Sequence, residues 1–343
     1  MEEINTKNIE KTPNNIKPPG AYPDRLSGFT DIIGTINKAE NAAKEPLYET
    51  SSLKEKNNIG KKEPASTEKN NLDDLLEELE SLVGLENIKQ NVKSLINYVK
   101  VRELREENKL PNPPLSLHMV FTGKPGTGKT TVARIIAELY EAIGVLSKGH
   151  LVEVDRSGLV AGFVGQTAIK TSEAVESALG GILFIDEAYA LSPDMSSGND
   201  YGREAIETLI KMMEDHRNDL IIIAAGYNEP MERFISSNPG LESRFNRYFY
   251  FEDYNSEELY DIFNNMCKKS EYILSDDAIT YAREHFNRNY ENRDENFSNA
   301  RYVRNFFENI VAVHSDRISS INGHTREDLV KVISKDLEKA AEM

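Results

Sequence analysis

The amino-acid sequence predicts an α/β protein: a doubly wound parallel sheet followed by a small all-helical domain, with a disordered tail ahead of both. Three observations carry that expectation. From about residue 110 to Phe251 apolar strands alternate with amphipathic helices, the order required when helices cover both faces of a parallel sheet. After Asp253 the pattern changes to helices only. The first 70 residues hold 6 of the 13 prolines and many Asn, Lys, Glu and Ser without a sustained apolar period, so they bury too little apolar surface to offset the entropy of ordering. The expected boundaries within the 343 residues are a tail over 1–70, the α/β domain over 71–253 and the helical domain over 254–343.

Within the tail, Leu26 to Ile36 is the most apolar stretch, either a short docking motif or a less polar piece of linker. Order begins near Asn71, an N-cap candidate with Asp73 and Asp74 in the first turn and Leu72, Leu75, Leu76 and Leu79 on one stripe. A second helix carries Ile88, Val92, Leu95, Ile96 and Val99 on one face. Beyond it, strands are expected near 117–122, 150–155, 182–186, 220–225 and 247–251, and helices over 129–143, 167–179 and 201–216. Cap signals at Asn255, Ser275 and Thr325 open helices of the last domain.

The chemistry concentrates at two strand ends. Gly123-Lys124-Pro125-Gly126-Thr127-Gly128-Lys129-Thr130, with Thr131 after it, follows the apolar run Met119-Val120-Phe121 and opens an apolar-periodic helix. Glycines at that spacing turn successive backbone N–H groups onto a polyphosphate, Lys129 reaches the β/γ-phosphates, and the Thr130 hydroxyl is placed to ligate Mg²⁺. The motif therefore predicts a nucleoside triphosphate site. Its second half is the strand Gly181-Ile182-Leu183-Phe184-Ile185, which ends in Asp186-Glu187. Asp186 is expected in the Mg²⁺ shell, and Glu187 beside it to take a proton from an attacking water. A glutamate in that position points to a hydrolase rather than a passive nucleotide holder.

Composition bounds the rest. With one cysteine, Cys267, no intrachain disulfide can form, and no Cys/His cluster suits zinc. No stretch approaches the length of a membrane-spanning helix, and the N-terminus lacks the order of a signal peptide, so a cytoplasmic protein is expected. The tail balances its charges, so the whole net charge of −16 falls on the remainder. That disfavours nucleic acid, whose backbone the folded part would repel.

From about Leu82 to the C-terminus, the chain resembles an AAA+ ATPase. Within that family it is similar to red-type Rubisco activase and stage V sporulation protein K, a type also found as the ATPase domain of type VII secretion accessory proteins. Val83-Gly84-Leu85 resembles the adenine-contacting stretch, and Gly158 to Thr167 the pore loop, with Phe163 beside the apolar Val164 as its client-binding residues; the family usually has tyrosine where this chain has Phe163, and Ala161-Gly162 replaces a more polar pair. Asn238 to Phe245 resembles the arginine-finger segment, and Asn299-Ala300-Arg301, with Arg304 one turn later, the sensor-2 motif of a helical lid. The resemblance implies a P-loop NTPase fold, ATP and Mg²⁺ as cofactors, and a homo-oligomeric, hexameric ring.

On that reading Arg244 reaches the γ-phosphate of a neighbouring subunit in the transition state, while Arg301 touches it within its own subunit. Arg247 is either the finger's partner, or both it and Arg244 are ordinary surface ion pairs. Glycines 158, 162 and 165 make the pore segment mobile, and Phe163 either contacts another polypeptide or packs back under its own sheet. Asn228, after the fourth strand, is the candidate water-positioning residue, one place later than the usual arrangement. The function expected is an ATP-hydrolysing motor that remodels or threads a protein client. The alternatives are a nucleic-acid-associated ATPase and a nucleotide-dependent scaffold or switch.

Overall fold

The computed structural model describes residues 71–113, 116–163, 165–192, 201–321 and 323–343. The expected tail, its Leu26–Ile36 segment and Val164 lie outside the described residues. The apolar runs form five strands: β1 (Met119–Gly123), β2 (Leu151–Val154), β3 (Ile182–Ile185), β4 (Ile221–Gly226) and β5 (Arg247–Phe251). All pair in parallel, in the order β2-β3-β4-β1-β5. Met119 of β1 stands opposite Ile223 on one side and Arg247 on the other. Because every strand runs the same way, the carboxyl ends of β1, β3 and β4 share one edge of the sheet, where α/β folds place their ligands.

Alternating side chains divide the core into two layers. Met119, Phe121, Phe184, Ile223 and Phe251 face one side, under α1 (Leu72–Ser81), α2 (Glu86–Glu107) and α3 (Lys129–Ala142). Val120, Leu183, Ile185, Ile222 and Ala224 face the other. There they meet α4 (Arg156–Leu159), α5 (Gln166–Ser177), α6 (Gly202–Asp215), α7 (Asn228–Ser236) and α8 (Pro239–Arg244). The long elements match the sequence expectation, but α4, α7 and α8 were absent from it. Four- and six-residue helices such as α4 and α8 show no apolar period. Their signal is chemical: the Asp155 carboxylate accepts from Gly158 N, and Asn238 accepts from Gly240 N with Pro239 in the first turn.

After β5 the chain builds a separate core from α9 (Ser256–Lys269), α10 (Asp276–Glu291), α11 (Ala300–Ser319), α12 (Arg326–Val330) and α13 (Ser334–Ala340). Phe263, Phe286 and Phe306 meet at its centre. Asn255 and Thr325 form full capping boxes. Ser275 does not cap: its hydroxyl donates to Val332 O at 3.1 Å, across a short parallel pair, β6 (Ile273–Leu274) with β7 (Lys331–Val332), that the helices-only reading omitted. Asn71 likewise makes no side-chain cap bond. The single cysteine, Cys267, is buried in this core with its thiol pushed up to about 12 by burial, so it is inert packing. Among the described residues no helix is long and apolar enough to cross a membrane.

His285 of α10 stacks on Phe306 of α11 with ring centroids 4.2 Å apart and shares a hydrogen bond with the Tyr302 hydroxyl. Burial, with Arg288 adding to it, pushes this imidazole from 6.5 down to about 4. Between those two values the unfolded chain binds the proton and the folded chain does not. The stability this group contributes is therefore complete above pH 6.5 and lost as pH falls towards 4. The melting temperature should decline across that window. His285→Phe keeps the stacking and removes the titration, so it should lessen the decline, leaving the share of His118, buried and pushed down to about 4 as well. Identical pH profiles for the two proteins would contradict this account.

Candidate functional site

Where β1 runs into α3, the loop 123–128 bends on glycines. Gly126 and Gly128 have φ of 72° and 96°, conformations that side chains avoid. At Gly126 space closes as well, since a Cβ there would lie 2.1 Å from Ser298 O. The first main-chain bond of α3 runs from Val132 N to Gly128 O at 3.0 Å. The N–H groups of Lys129, Thr130 and Thr131 ahead of it have no acceptor within the helix, and with the helix dipole they make an anion-binding terminus.

Lys129 Nζ turns back into this loop and donates to Gly123 O and Lys124 O, both at 2.8 Å, while Thr127 Oγ1 donates to Lys124 O at 2.8 Å. Burial pushes the ammonium down to about 8; Asp186 pulls it up and Arg301 pushes it down further. The carboxylate at the end of β3 and the guanidinium on α11 therefore act within the field of the loop lysine. Thr130 and Asp186, the expected Mg²⁺ ligands, are both half-buried, one at the start of α3 and the other just past β3. Helix-terminal N–H donors, an ammonium and a nearby carboxylate–hydroxyl pair suit a polyphosphate with a divalent cation.

Glu187 is exposed, at φ 48°, and its N–H donates to Asp186 Oδ1 at 3.0 Å. One turn of 3₁₀ helix, Ala188–Leu191, follows. In that turn Tyr189 is pushed up to about 12, chiefly by burial and next by the charge of Glu187, and its ring lies 6.3 Å from that of Tyr227. Arg156, the first residue of α4, donates to Ala190 O at 2.5 Å, joining the turn after Glu187 to the helix that precedes Phe163. Neither Tyr189 nor Arg156 stood out in the sequence, because no motif spacing marks them. Asn228 lies close to the loop: a cavity of about 280 Å³ opens between Gly123 and Lys124, Tyr227 and Asn228, and Tyr250 and Asp253.

The remaining candidates divide by position. Val83 is half-buried, and Gly84 takes φ 62°, where a Cβ would strike the Glu258 carboxylate of α9 at 2.3 Å. The next residue, Leu85, places its Cδ1 3.5 Å from where a Cβ on Gly128 would stand, so this segment runs between the loop and the helical domain. Arg301 is exposed in the first turn of α11, with its backbone N 2.8 Å from where a Cβ on Gly126 would be.

Arg244 is at the end of α8, half-buried, with Nη2 3.4 Å from Glu214 Oε2 and no hydrogen-bond partner for Nε among the described residues. Arg247 is neither a free partner for it nor a surface ion pair. Its Nε donates to Ser116 O at 3.2 Å, its guanidinium lies 5.8 Å from the Tyr98 ring, and burial lowers its pKa.

Phe163 is 70% exposed, so it does not pack back under the sheet. The start of this segment is held in place. Gly158 sits inside α4, and Ser157, Leu159, Val160 and Ala161 are all held by side chains of α5. A Cβ added at Gly162 or Gly165 would meet nothing within 4 Å.

Two family models match the chain: the ATPase family associated with various cellular activities over residues 119–253, and the AAA lid domain over 255–343. Stage V sporulation protein K of Bacillus subtilis is 41% identical over 267 residues, covering 78% of this chain and 82% of that protein. The chloroplastic ribulose bisphosphate carboxylase/oxygenase activase of Cyanidioschyzon merolae is 42% identical, covering 78% and 90%. CbbX of Cereibacter sphaeroides is 43% identical, covering 68% and 74%. Among solved structures, a RuvB mutant of Thermotoga maritima shares the fold, with a TM-score of 0.53 at 18% identity, covering 77% of this chain and 71% of that one.

The lowered Lys129 has a measurable consequence. Below pH 8 its ammonium is already charged; above it the empty site favours the neutral amine, and a bound polyphosphate restores the charge. Binding of a nucleoside triphosphate should therefore take up close to one proton at about pH 9 and little at about pH 7. Calorimetric titration in two buffers of unlike ionisation enthalpy reads this uptake, and buffer-independent heats at the higher pH would contradict it.

Proposed function

The chain belongs to the AAA family of ATPases, in the group that holds stage V sporulation protein K and CbbX, and from that membership we propose that it is a protein-remodelling motor. It binds ATP with Mg²⁺, assembles as a hexameric ring of its own copies, and moves a protein client with its exposed loops. The observation that carries the client reading is Phe163. A large aromatic side chain, 70% exposed between glycines where an added Cβ would meet open space, on a base stapled to α5, is placed to contact another polypeptide rather than its own core. Arg156 links that base to the turn after Glu187, which gives the loop a short path to the hydrolytic acid.

Each residue's work follows from its place. The α3 terminus and Lys129 hold the phosphates, and Val83 and Gly84 bound the site on the side of the helical lid. Thr130 and Asp186 hold Mg²⁺, which when bound neutralises phosphate charge and fixes the phosphates' orientation. Glu187, exposed beside Asp186, takes the proton of the attacking water. Arg301 senses the γ-phosphate from the lid. Arg244, held by Glu214, Gly240 O and Ser243 Oγ only at 3.3–3.4 Å, turns to the γ-phosphate of the adjoining copy, where a guanidinium stabilises transition-state charge. One relative's name gives it a protein target, the carboxylase it activates; by analogy the client here is a protein, of identity still open. The RuvB likeness carries the fold alone, and a net charge of −16 opposes a nucleic-acid track.

Turnover in trans has a direct test. Glu187→Gln should bind ATP and not hydrolyse it, and Arg244→Ala should be equally silent. Mixed in one ring, the two should recover activity wherever an intact acid faces an intact finger. Absence of recovery at every ratio, in rings proven to co-assemble, would count against an interface-built site.

Phe163 separates a threading motor from a nucleotide switch. Phe163→Ala should leave basal ATPase and assembly near wild type and abolish client-stimulated turnover, whereas Phe163→Tyr should retain it because the ring face is preserved. If Phe163→Ala instead unfolds the protein or prevents assembly, the residue is packing and the client reading loses its support.

A further inference from the structure

Asn299 precedes α11, fully buried, with φ 50° and ψ −126°, a backbone region that residues with side chains rarely enter. It stands at the N-cap position yet makes no side-chain cap bond to its own helix. Its amide bridges outward instead. Oδ1 accepts from Tyr254 N at 3.0 Å, and Nδ2 donates to Asp253 Oδ1 at 2.9 Å, with Pro125 O at 3.3 Å and Phe297 O at 3.4 Å. One side chain thus joins the phosphate-binding loop, the linker leaving the sheet, and the loop that leads into α11. Asp253 extends the joint, since its Oδ2 pairs with Lys124 Nζ at 3.1 Å. Beside it Ala300 N donates to Gly126 O at 3.0 Å.

We infer that Asn299 is a positioning residue of the ATPase: its amide locks the first turn of α11, and with it Arg301, onto the phosphate-binding loop. The inference rests on the reading of Arg301 as a γ-phosphate contact. A buried amide with every strong partner outside its own helix costs stability unless all of them are met, so the joint is either fully made or released. When it is made, the lid angle and the loop conformation are one variable, and a small displacement of Arg301 is expensive in rate.

The test uses the full-length chain, measuring kcat together with the separate affinities for ATP and ADP. Asn299→Ala and Asn299→Gly should each lower kcat by about tenfold or more, and should weaken ATP while leaving ADP within about threefold of wild type. Asn299→Gly eases the positive φ, so it should melt closer to wild type than Asn299→Ala, yet lose the same activity. This identifies the amide, rather than the backbone, as the active part, and it supplies a readable variant if Asn299→Ala does not fold. In an Arg301→Ala background, adding Asn299→Gly should cost little more.

Wild-type kcat and ATP preference in Asn299→Gly would overturn the inference. So would an undiminished loss in the Arg301→Ala background, or an equal weakening of ATP and ADP. The underlying readings fail separately: nucleotide binding unaffected by Lys129→Ala removes the site, and full activity in Arg301→Ala removes the γ-phosphate contact.

Discussion

Lys129 keeps a charge half inside the protein at the point where a parallel sheet, a helix terminus and a second domain meet. Such a charge persists only where carbonyls and a neighbouring carboxylate surround it. Gly123 O and Lys124 O supply the first and Asp186 the second, and the ammonium is still pushed down to about 8. The surroundings follow from that requirement. The loop must curl tightly enough to aim its carbonyls inward, which needs glycine at Gly126 and Gly128. The sheet must bring β3 beside β4, and β4 beside β1, so that Asp186 ends on the same edge as the loop.

The lid is attached at the same place. A side chain at Gly126 would meet Ser298 and Arg301 of the lid, and Ala300 N donates to Gly126 O. The contact that shapes the phosphate loop is thus also the contact that sets the lid, and Asn299 holds both. On the other side of the site, Arg156 ties the turn after Glu187 to the base of the Phe163 loop. The glycine loop is thus bonded to the lid, and the turn after Glu187 to the helix that precedes Phe163, so each pair of neighbouring elements shares a direct contact.

Much of the site was legible because its chemistry is local in sequence. A strand, a glycine loop and a helix terminus occupy residues 119–142, and the acid pair Asp186-Glu187 directly follows a short, continuous apolar run. Arg244 and Arg301 were found through family resemblance, since nothing in their immediate neighbours marks them. Asn299 was seen only as part of a motif. Its partners, Pro125, Asp253, Tyr254 and Phe297, span most of the folded chain, and no periodicity or cap rule connects them.

By itself the sequence determined the alternation of strands and helices, the phosphate loop, the paired acids and the break to a helical lid, because each depends on the period or spacing of neighbouring residues. Tertiary structure alone decided that Arg247 is packed inward against Tyr98 while Arg244 remains loosely held, that Gly158 is rigid while Gly162 and Gly165 stand open, and that Ser275 bonds across a strand pair instead of capping. In each case a long-range partner competes with the local rule. The partner wins because a buried polar group must be satisfied by whatever the fold brings to it, and sequence spacing does not record what that is.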